Sequence, residues 1–526
     1  MKKLFREGTK EMSKRFIILP IDETKPHRHI RLTNEKGELL YDINCSVELN
    51  TPAFESYMDV TRFGDDKITV TDDEGNVLPL KETDRHPEIS EIRGGSFMRP
   101  KIHFTSKIGW MNDPNGMVYM NGTYHLFYQH NPYSLGYDQD SMTWDHAVST
   151  DLVHWEETGD IIFTDELGGC FSGSAVCDER NVAGFGKNAM ICFYTSAGNG
   201  SDLSRGKYFT QSIAYSNDNA LTMKKYDKNP IINWIRGANR DPKVEWCEEL
   251  GKYVMALYLD GPDFRIFTSD DLIDWEPLQD VTMPNDNECP AFYPLVLDGE
   301  RKWVFQGAHD KYLIGSIKDG KYVIEQEELP YYIWSEGSYS PQSFYGTGDR
   351  RIRIALNRAY CPGAVFSGQM GVPTEFFLKR AGDKIRLGSL PVKELDSIAK
   401  KKIENINIQG SEAFECLDIN ALRNSGIEVT LNIKEGCGAF TLSCFGKEIR
   451  IDPEANEFAT SSVKAPLSYD GEKNIKVIFD TLSIEAFADG GLIYSVSVSV
   501  ADRTKNVKII PESTVDLTAE IKVLEL

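Results

Sequence analysis

The segment STDLVHWE (149–156) returns 120 residues later as SDDLIDWE (269–276). Both segments fit the pattern S-x-D-L-x-x-W-E and lie among short apolar runs. Repeated β units with a fixed Asp/Trp signature are typical of the blades of a β-propeller. Because one four-stranded blade takes ~40–50 residues, this spacing corresponds to about two blades. Convergent turn chemistry is the alternative explanation for the match.

The other readable segments are also strands. MVYMNGTYHLFYQ (117–129) consists of two alternating runs around Asn121-Gly122, a strong hairpin signal. Similar short runs recur, including AMICFYTSA, KYVMALYLD, KWVFQGA and RRIRIALN. Amphipathic helical patterns are scarce. The sequence therefore predicts an all-β protein.

A chain of 526 residues is long enough for two or three domains. Residues 15–85 alternate in polarity and indicate a small β-sandwich, which a polar linker at 82–97 follows. After about residue 400, alternating strands with hairpin turns, one at the FADGG tip, indicate a second sandwich. We predict three domains: an N-terminal β-sandwich module with its linker (1–95), a β-propeller (96–395) and a C-terminal β-sandwich (396–526).

The composition restricts the partners of the chain. With 58 basic and 80 acidic side chains the formal net charge is −22, which disfavours nucleic acid. A neutral ligand such as a sugar is compatible with this charge, and 23 Tyr, 26 Phe and 8 Trp can supply stacking surfaces. We therefore expect a small carbohydrate as the partner.

The termini and the cysteines bear on location. Lys14 and Arg15 interrupt the first apolar run, and the chain has no run of 18 apolar residues, so we expect neither a signal peptide nor a membrane span. The ten cysteines are scattered without CxxC pairs, which is typical of free thiols in a reducing compartment. We predict a cytoplasmic protein. The sequence leaves its oligomeric state open.

Three acidic residues that each stand shortly before a proline are the candidate functional groups. They are Asp113 in WMNDPNG (110–116), Asp241 in RDP (240–242) and Glu288 in ECP (288–290). Proline restricts the residue before it to extended conformations, and Asn-Gly after Asp113 is expected to turn the chain sharply. Each acid alone could be an ordinary turn residue. Together they suggest paired carboxyl groups of the kind that cleave glycosides.

Four motifs in order, WMNDPNG (110–116), FSGSA (171–175), RDP and EC (288–289), resemble glycoside hydrolase family 32, the family of invertases, inulinases and levanases. The likeness runs from about Arg99 to Pro391 and continues in LSIEAFADGG (482–491). It implies a five-bladed propeller with a central funnel, followed by a β-sandwich. It also implies an exo-acting β-fructosidase that releases terminal fructosyl units from sucrose, fructo-oligosaccharides or fructans.

The resemblance assigns roles to the three acids. Asp113 would be the nucleophile at the anomeric carbon, and Glu288 the acid that protonates the leaving oxygen and then the base that activates water. Asp241 would hold fructosyl hydroxyls and stabilise the transition state. A retaining mechanism of this kind places the two reacting carboxyls ~5–5.5 Å apart. Amide donors near Asn112 are expected to keep Asp113 ionised.

Further positions are implied to contact the sugar. The expected hydrogen-bonding residues are Asn112, Gln129, Ser172 and Arg240, and the expected apolar walls are Trp110, Phe171 and Trp144. Core packing is the alternative for the aromatic residues, Trp144 above all. The family usually has a Trp at the position of Gln139, and Tyr137 is a possible substitute two residues away. No metal or cofactor is expected, because the His residues lack ligand spacing. A fructosyltransferase and a non-catalytic sugar-binding propeller are the alternative functions.

Overall fold

The computed structural model describes residues 15–526 except 93–94, 330–332, 336, 418–423, 470 and 472. Strands form most of it, which confirms the all-β fold class. The helices among these residues are short 3-10 turns: Thr61–Phe63, Ile89–Glu91, Ser96–Met98, Lys393–Ile398 and Asp489–Gly491. No described helix has the length and apolarity needed to cross a bilayer. The first 14 residues, on which the expected absence of a signal peptide rests, lie outside the described residues.

The N-terminal module is a pair of three-stranded sheets. Its strands are β1 (Phe16–Ile21), β2 (Arg28–Thr33), β3 (Leu39–Cys45), β4 (Phe54–Asp59), β5 (Thr69–Thr71) and β6 (Lys81–Thr83). The sheet orders are β4-β1-β6 and β3-β2-β5, with antiparallel pairing. Leu19, Ile43 and other apolar side chains from both sheets meet in one buried cluster. Ile108, Tyr133 and Val365 of the following region belong to this cluster as well.

The described residues of the central region form five successive sheets. The strands of the first three are β7 (Gly109–Met120), β8 (Thr123–Asn131), β9 (Thr143–Ser149), β10 (Glu156–Ile162), β11 (Gly169–Asp178), β12 (Ala189–Ala197), β13 (Thr210–Ser216), β14 (Lys224–Lys225), β15 (Arg240–Cys247), β16 (Lys252–Asp260), β17 (Asp263–Ser269) and β18 (Glu276–Thr282). The remaining two contain β19 (Ala291–Leu297), β20 (Glu300–Gln306), β21 (Tyr312–Lys318), β22 (Lys321–Leu329), β24 (Ser338–Ser343), β25 (Ile352–Asn357), β27 (Gln369–Met370), β28 (Thr374–Ala381) and β29 (Lys384–Pro391). A two-residue strand, β26 (Phe366–Ser367), joins β7 in parallel and so ties the last sheet to the first.

The first strand of each sheet faces a common axis. Contacts run from β7 to β11, β15, β19 and β24 and back to β7, which closes a ring. Strand β11 is buried over its whole length, whereas the fourth strand β18 is mostly exposed. This is the arrangement of a β-propeller. The blade number of five stays a prediction, because residues 330–332 and 336, between the fourth and fifth of these sheets, are not described.

The repeated S-x-D-L-x-x-W-E segment forms the same turn twice. It connects β9 to β10 in the first sheet and β17 to β18 in the third. Leu152 and Leu272 both have positive φ, 66° and 67°. The indole N–H of the following Trp donates to the Leu carbonyl, at 2.9 Å in the first copy and 3.2 Å in the second. The spacing of 120 residues therefore covers two sheets, as the repeat predicted.

The C-terminal region is a β-sandwich. Its strands are β30 (Ala399–Gly410), β31 (Phe414–Leu417), β32 (Gly426–Ile433), β33 (Phe440–Cys444), β34 (Lys447–Asp452), β35 (Glu457–Ala459), β36 (Lys464–Pro466), β37 (Asn474–Phe479), β38 (Ser483–Ala488), β39 (Ile493–Val498), β40 (Val507–Pro511) and β41 (Val515–Leu524). The two sheets have the orders β23-β39-β38-β37-β32-β41-β30 and β31-β40-β33-β34-β35-β36. Strand β23 (Ile333–Ser335) comes from between the fourth and fifth propeller sheets and pairs in parallel with β39. The predicted domain boundaries stay predictions.

A buried histidine joins the propeller to this sandwich. His103 lies with Nδ1 2.8 Å from Asp480 and Nε2 2.8 Å from Glu485, and all three side chains are inaccessible to solvent. Carboxylates only accept hydrogen bonds, so His103 donates from both nitrogens and carries a positive charge. Burial alone would lower the pKa of His103, but the two carboxylates raise it to about 9.

We expect His103→Gln to destabilise the protein at pH 6 by ~3–5 kcal/mol, because buried Glu485 loses the protonated imidazole beside it and Asp480 loses one cation while it keeps Arg503 at 3.3 Å. The folded pKa of His103, about 9, lies above its ordinary value of 6.5. The contribution is therefore complete below pH 6.5 and is lost as the pH rises through 9. Chemical denaturation at pH 6 and pH 9.5 measures the difference.

The matched control is His154→Gln. His154 is also 2.8 Å from a carboxylate, that of Asp151, but its side chain is 46% exposed. An exposed pair of this kind contributes at most ~1 kcal/mol. Equal losses of stability in the two variants would contradict a special role for the buried contact.

Candidate active site

A cavity of about 480 Å³ lies among the first strands of the sheets. It is lined by Trp110, Asn112, Asp113, Gln129, Tyr137, Phe171, Ser172, Phe209, Ala238, Arg240, Asp241, Glu288, Tyr339 and Arg358. All the site residues predicted from the sequence are in this set except Trp144. The structure therefore brings the three candidate carboxyl groups into one pocket.

Asp113 is positioned by an irregular strand and not by a turn. The segment WMNDPNG lies inside β7, which pairs with β8 on both sides of it. The register shifts between Met111 and Pro114, so the strand bulges at Asp113, and it shifts again after Asn115. A bulge re-aims the side chains of its strand. The expected sharp turn at Asn115-Gly116 is wrong, because the chain stays in β7 with a second bulge there and its pairing with β8 resumes at Val118.

The two oxygens of Asp113 have different surroundings. Oδ2 accepts a hydrogen bond from the Ser172 hydroxyl at 2.6 Å and from the Cys289 thiol at 3.3 Å. Oδ1 is buried and has no hydrogen-bond partner among the described residues. Oδ1 is therefore the oxygen of Asp113 whose hydrogen-bonding capacity the described residues leave unused.

The amide donors expected to hold Asp113 do not include Asn112, whose contact with a sugar stays a prediction. Its side-chain amide donates to Gln129 Oε1 at 2.7 Å, so the donors to Asp113 are a hydroxyl and a thiol instead. Burial raises the pKa of Asp113 above its usual range. The two hydrogen bonds lower this pKa, but by a smaller amount than burial raises it. The negative charge of Glu288 raises it further. Asp113 is therefore a stronger base than an ordinary aspartate.

The backbone is left-handed at the other two acids. Asp241 has φ 66°, Glu288 has φ 53° and Cys289 has φ 39°. Positive φ is uncommon for residues other than Gly, and such conformations cluster at functional sites. A register shift between Arg240 and Lys243 adds a bulge at the start of β15. The surrounding sheets thus hold these carboxyl groups in orientations that relaxed strands would not give.

The Asp241 side chain is buried and contacts both a charged group and a hydrogen-bond donor. Its Oδ2 accepts the Cys289 backbone N–H at 3.0 Å and lies 3.6 Å from Arg240 Nε. Burial is the largest influence, and with the negative charges of Asp113 and Glu288 it raises the pKa of Asp241 to about 7 despite Arg240. Asp241 thus changes protonation near neutral pH.

Glu288 is the most accessible of the three acids. Its side chain is 30% exposed, against 5% for Asp241. Oε2 accepts a hydrogen bond from the Tyr339 hydroxyl at 2.5 Å, and Oε1 lies 3.0 Å from Arg240 Nη2. A carboxyl group that reaches water while two donors fix its orientation is suited to deliver and recover a proton.

Tyr339 and Arg358 are site residues that the sequence analysis missed. The Arg358 guanidinium lies 3.5 Å from the centroid of the Tyr339 ring, and its charge lowers the pKa of Asp113 in part. Neither residue belongs to a recognisable motif. The feature that could have indicated Tyr339 is its place in the first strand of a sheet, where side chains reach the axis.

Aromatic rings form one wall of the cavity. The Tyr137 ring lies edge-on to Trp110 at 6.0 Å and to Phe171 at 6.1 Å, and Phe209 contacts Phe171 at 5.6 Å. Trp144 is not part of this wall. It is fully buried behind it, where its indole N–H donates to the carbonyl of Phe171. The expectation for Trp144 is wrong, and core packing is its role.

One group of described residues has metal-ligand spacing, namely His130, Asp145 and Asp160, outside this cavity. His130 Nε2 is 2.8 Å from the carbonyl of Ile108, and Nδ1 is 2.8 Å from Asp160. Both partners accept, so both nitrogens donate. Burial would lower the pKa of His130, but Asp160 raises it to about 10. A protonated imidazole has no lone pair for a metal, and the group is an ion pair.

The pKa of Asp241 gives a pH-dependent prediction. Its folded value, about 7, lies above the ordinary 3.8, so the folded protein keeps a proton that the unfolded chain releases. Stability then falls as the pH rises from about 4 to 7. We expect Asp241→Asn to be more stable than the wild type at pH 8 by ~1–4 kcal/mol, with a smaller difference at pH 5. Chemical denaturation at both pH values measures this difference in stability. A difference that does not depend on pH would contradict the raised pKa of Asp241.

The profile of the family described as glycosyl hydrolases family 32 N-terminal domain matches residues 103–387. A levanase of Bacillus subtilis is 32% identical over 463 residues, which cover 77% of this chain and 67% of the levanase. An extracellular exo-inulinase of Aspergillus niger is 32% identical over 359 residues, 58% of this chain and 66% of that protein. The chain thus spans about two thirds of each of these relatives.

A solved structure agrees with this match. The crystal structure of exo-inulinase from Aspergillus awamori superposes with a TM-score of 0.70, at 23% identity, over 81% of this chain and 98% of that one. This likeness concerns the fold. The profile match covers more than half of the chain and includes Asp113, Asp241 and Glu288. The chain therefore belongs to glycoside hydrolase family 32.

Proposed function

We propose that this protein is a retaining β-fructosidase that hydrolyses terminal fructosyl units from sucrose, fructo-oligosaccharides or fructans. The observation that carries the proposal is the pairing of two unlike carboxyl groups in one pocket. Asp113 is buried and keeps one oxygen free of donors, while Glu288 is partly exposed and held by two donors. Retaining glycosidases need one carboxylate that attacks and one carboxylic acid that protonates.

In the first step Asp113 Oδ1 attacks the anomeric carbon of the fructosyl unit. The C–O bond to the leaving group breaks, and Glu288 gives its proton to the leaving oxygen. In the second step Glu288 takes a proton from water, and the water oxygen displaces Asp113 from the anomeric carbon. The Tyr339 hydroxyl and Arg240 orient Glu288 in both steps, because each contacts one of its oxygens.

Asp241 and Arg240 serve the transition state in this proposal. The fructosyl ring becomes positively charged as the bond breaks, and a nearby carboxylate stabilises that charge. The pKa of Asp241, about 7, makes this carboxylate dependent on pH near neutrality. Ser172 and the Cys289 thiol share Oδ2 of Asp113, so they leave Oδ1 as the attacking atom.

Names of relatives and neighbours support the substrate class. They include a levanase, an exo-inulinase and a β-fructofuranosidase from Schwanniomyces occidentalis complexed with fructosyl-erythritol. We carry to this chain fructosides as the substrate class, and we take action at chain ends from the name of the exo-inulinase alone. Water as the acceptor is preferred over a second sugar for the same reason.

We also propose that the protein works in the reducing cytoplasm. The nine cysteines that the structure places are all free and buried. Buried thiols without disulfide partners are typical of proteins from that environment.

Replacement of the two reacting acids tests the mechanism. Asp113→Asn should lower kcat at least ~10³-fold, because the nucleophile is removed. Glu288→Gln should lower kcat on sucrose by ~10²–10⁴-fold, but far less on an aryl β-fructofuranoside, whose leaving group needs no proton. Azide should accelerate only the Glu288→Gln variant. Initial rates on both substrates measure these effects.

The matched control is Glu300→Gln, which changes a glutamate that is 74% exposed and outside the cavity. It should leave both rates unchanged. Circular dichroism verifies that each variant is folded. Near wild-type activity in a folded Asp113→Asn variant would overturn the proposal.

The products identify the type of cleavage. From sucrose, kestose, inulin and levan we expect free fructose as the sole early fructan-derived product, because the unit is removed from the chain end. A ladder of oligosaccharides would contradict exo action. Products longer than the substrate at high sucrose would mean that sugar competes with water as acceptor.

A further inference from the structure

The loop between β8 and β9, residues 132–142, reaches the mouth of the active-site cavity. We call it the rim loop. It carries Tyr137, whose side chain is 60% exposed and whose ring edges onto Trp110 and Phe171. An exposed ring at the mouth offers a stacking surface to the part of a substrate that stays outside the pocket. The contacts that hold the rim loop in place therefore affect which substrates the pocket accepts.

The base of the rim loop is embedded in the N-terminal module. Tyr133 is 1% exposed and belongs to the apolar cluster of the module, where its ring edges onto Tyr41 at 6.5 Å. The carbonyl of Pro132 accepts a hydrogen bond from the buried Ser56 hydroxyl at 2.6 Å. Both partners are on module strands, β3 and β4.

Polar contacts from the module lie on both sides of Tyr137. The Asn44 side-chain amide donates to Asp138 Oδ2 at 2.9 Å, and its backbone N–H donates to Ser141 Oγ at 3.4 Å. On the other side, the Ser134 hydroxyl donates to Glu23 Oε2 at 3.0 Å. These contacts fix the segment that presents the Tyr137 ring, in addition to the base of the loop.

The module also holds a second loop at the pocket. Asp202, between β12 and β13, pairs with Arg31 at 2.8 Å and donates its backbone N–H to Asp42 at 2.9 Å. Phe209, which also lines the pocket, is the last residue of this loop before β13 begins. The Gln139 side-chain amide of the rim loop donates to the carbonyl of Gly198 at 2.9 Å and so joins the two loops.

We propose that the N-terminal module is a specificity element, which positions Tyr137 and Phe209 at the pocket mouth and so sets how the enzyme binds the leaving-group sugars. Asn44 is the positioning residue that acts through Tyr137. The inference rests on the proposed β-fructosidase function. A module that only stabilised the fold would need its apolar contact with Tyr133, but not hydrogen bonds on both sides of an exposed ring.

The first test is Asn44→Ala. Asp138→Ala is a second variant, which removes the same hydrogen bond from the loop side together with the two that Asp138 Oδ1 accepts from the backbone N–H groups of Asp140 and Ser141. On fructo-oligosaccharides we expect KM to rise about fivefold with kcat within twofold, since one hydrogen bond that orients a binding surface is lost. The matched control is Asn76→Ala. Asn76 also donates to an aspartate, Asp72 at 3.0 Å, but wholly within the module.

A double-mutant cycle tests whether Asn44 acts through the ring. With Tyr137→Ala in the background, Asn44→Ala should change KM by less than twofold, because the surface it positions is gone. Additive effects would overturn the proposal, as would an unchanged KM in both Asn44→Ala and Asp138→Ala.

Amide hydrogen exchange separates this inference from the proposed function. Exchange of residues 134–141 should accelerate in Asn44→Ala and not in Asn76→Ala, whether or not the protein cleaves a fructoside. Failure of the wild type to cleave any fructoside, with accelerated exchange in Asn44→Ala, would overturn the function and leave the positioning of the loop supported. Unchanged exchange in Asn44→Ala would overturn the positioning itself.

Discussion

Three carboxyl groups within one mostly buried pocket are the constraint on which the rest of this structure depends. Like charges at close range repel, and burial disfavours the charged form of each. Arg240 is the one cation among the described residues that contacts two of them, since it lies beside Asp241 and Glu288. Neutral donors stabilise the remaining negative charge of the carboxylates: the Ser172 hydroxyl, the Cys289 thiol and the Tyr339 hydroxyl. Different donors on each acid make three similar side chains chemically unlike.

A rigid scaffold is needed to keep them together. The ring of first strands supplies it. Strand pairing fixes the backbone around Asp113 and Asp241, whereas Glu288 lies in the connection just before β19 and is held by Tyr339 of β24. The bulges in β7 and β15 and the left-handed residues at 241, 288 and 289 are unfavourable locally. The paired sheets around them compensate for this cost. The His103 contact with Asp480 and Glu485 extends the same rigidity into the C-terminal sandwich.

Features set by short-range chemistry could be predicted from the sequence. The hairpin at Asn121-Gly122 forms as expected, with φ of 51° and 79°, and the repeated Asp/Trp turn occupies equivalent places in two sheets. The acids before prolines do meet in one cavity. Their motifs are local, and the chemistry of paired carboxyls requires them to converge.

Features decided by distant contacts were missed. Asn115-Gly116 has the local preference of a turn, but pairing with β8 outweighs it. Trp144 and Trp110 look alike in sequence, and only the packing of β9 places one in the core. Tyr339 contacts Glu288, from which it is 51 residues away in the sequence, and no motif in the sequence indicates this contact. Pairings of this kind are set by the order of the sheets around the ring.

The apolar cluster shared by the module and the propeller has a consequence for the evolution of the chain. Ile108, Tyr133 and Val365 bury their side chains against Leu19, Ile43 and Met58. A truncated chain that began at the propeller would expose these three residues to water, and its unfolding would no longer be the cooperative event of the whole protein. The module is thus not a detachable appendage. In a homologue that lacks the module these three positions face water, so polar residues are expected there more often than in homologues that keep it.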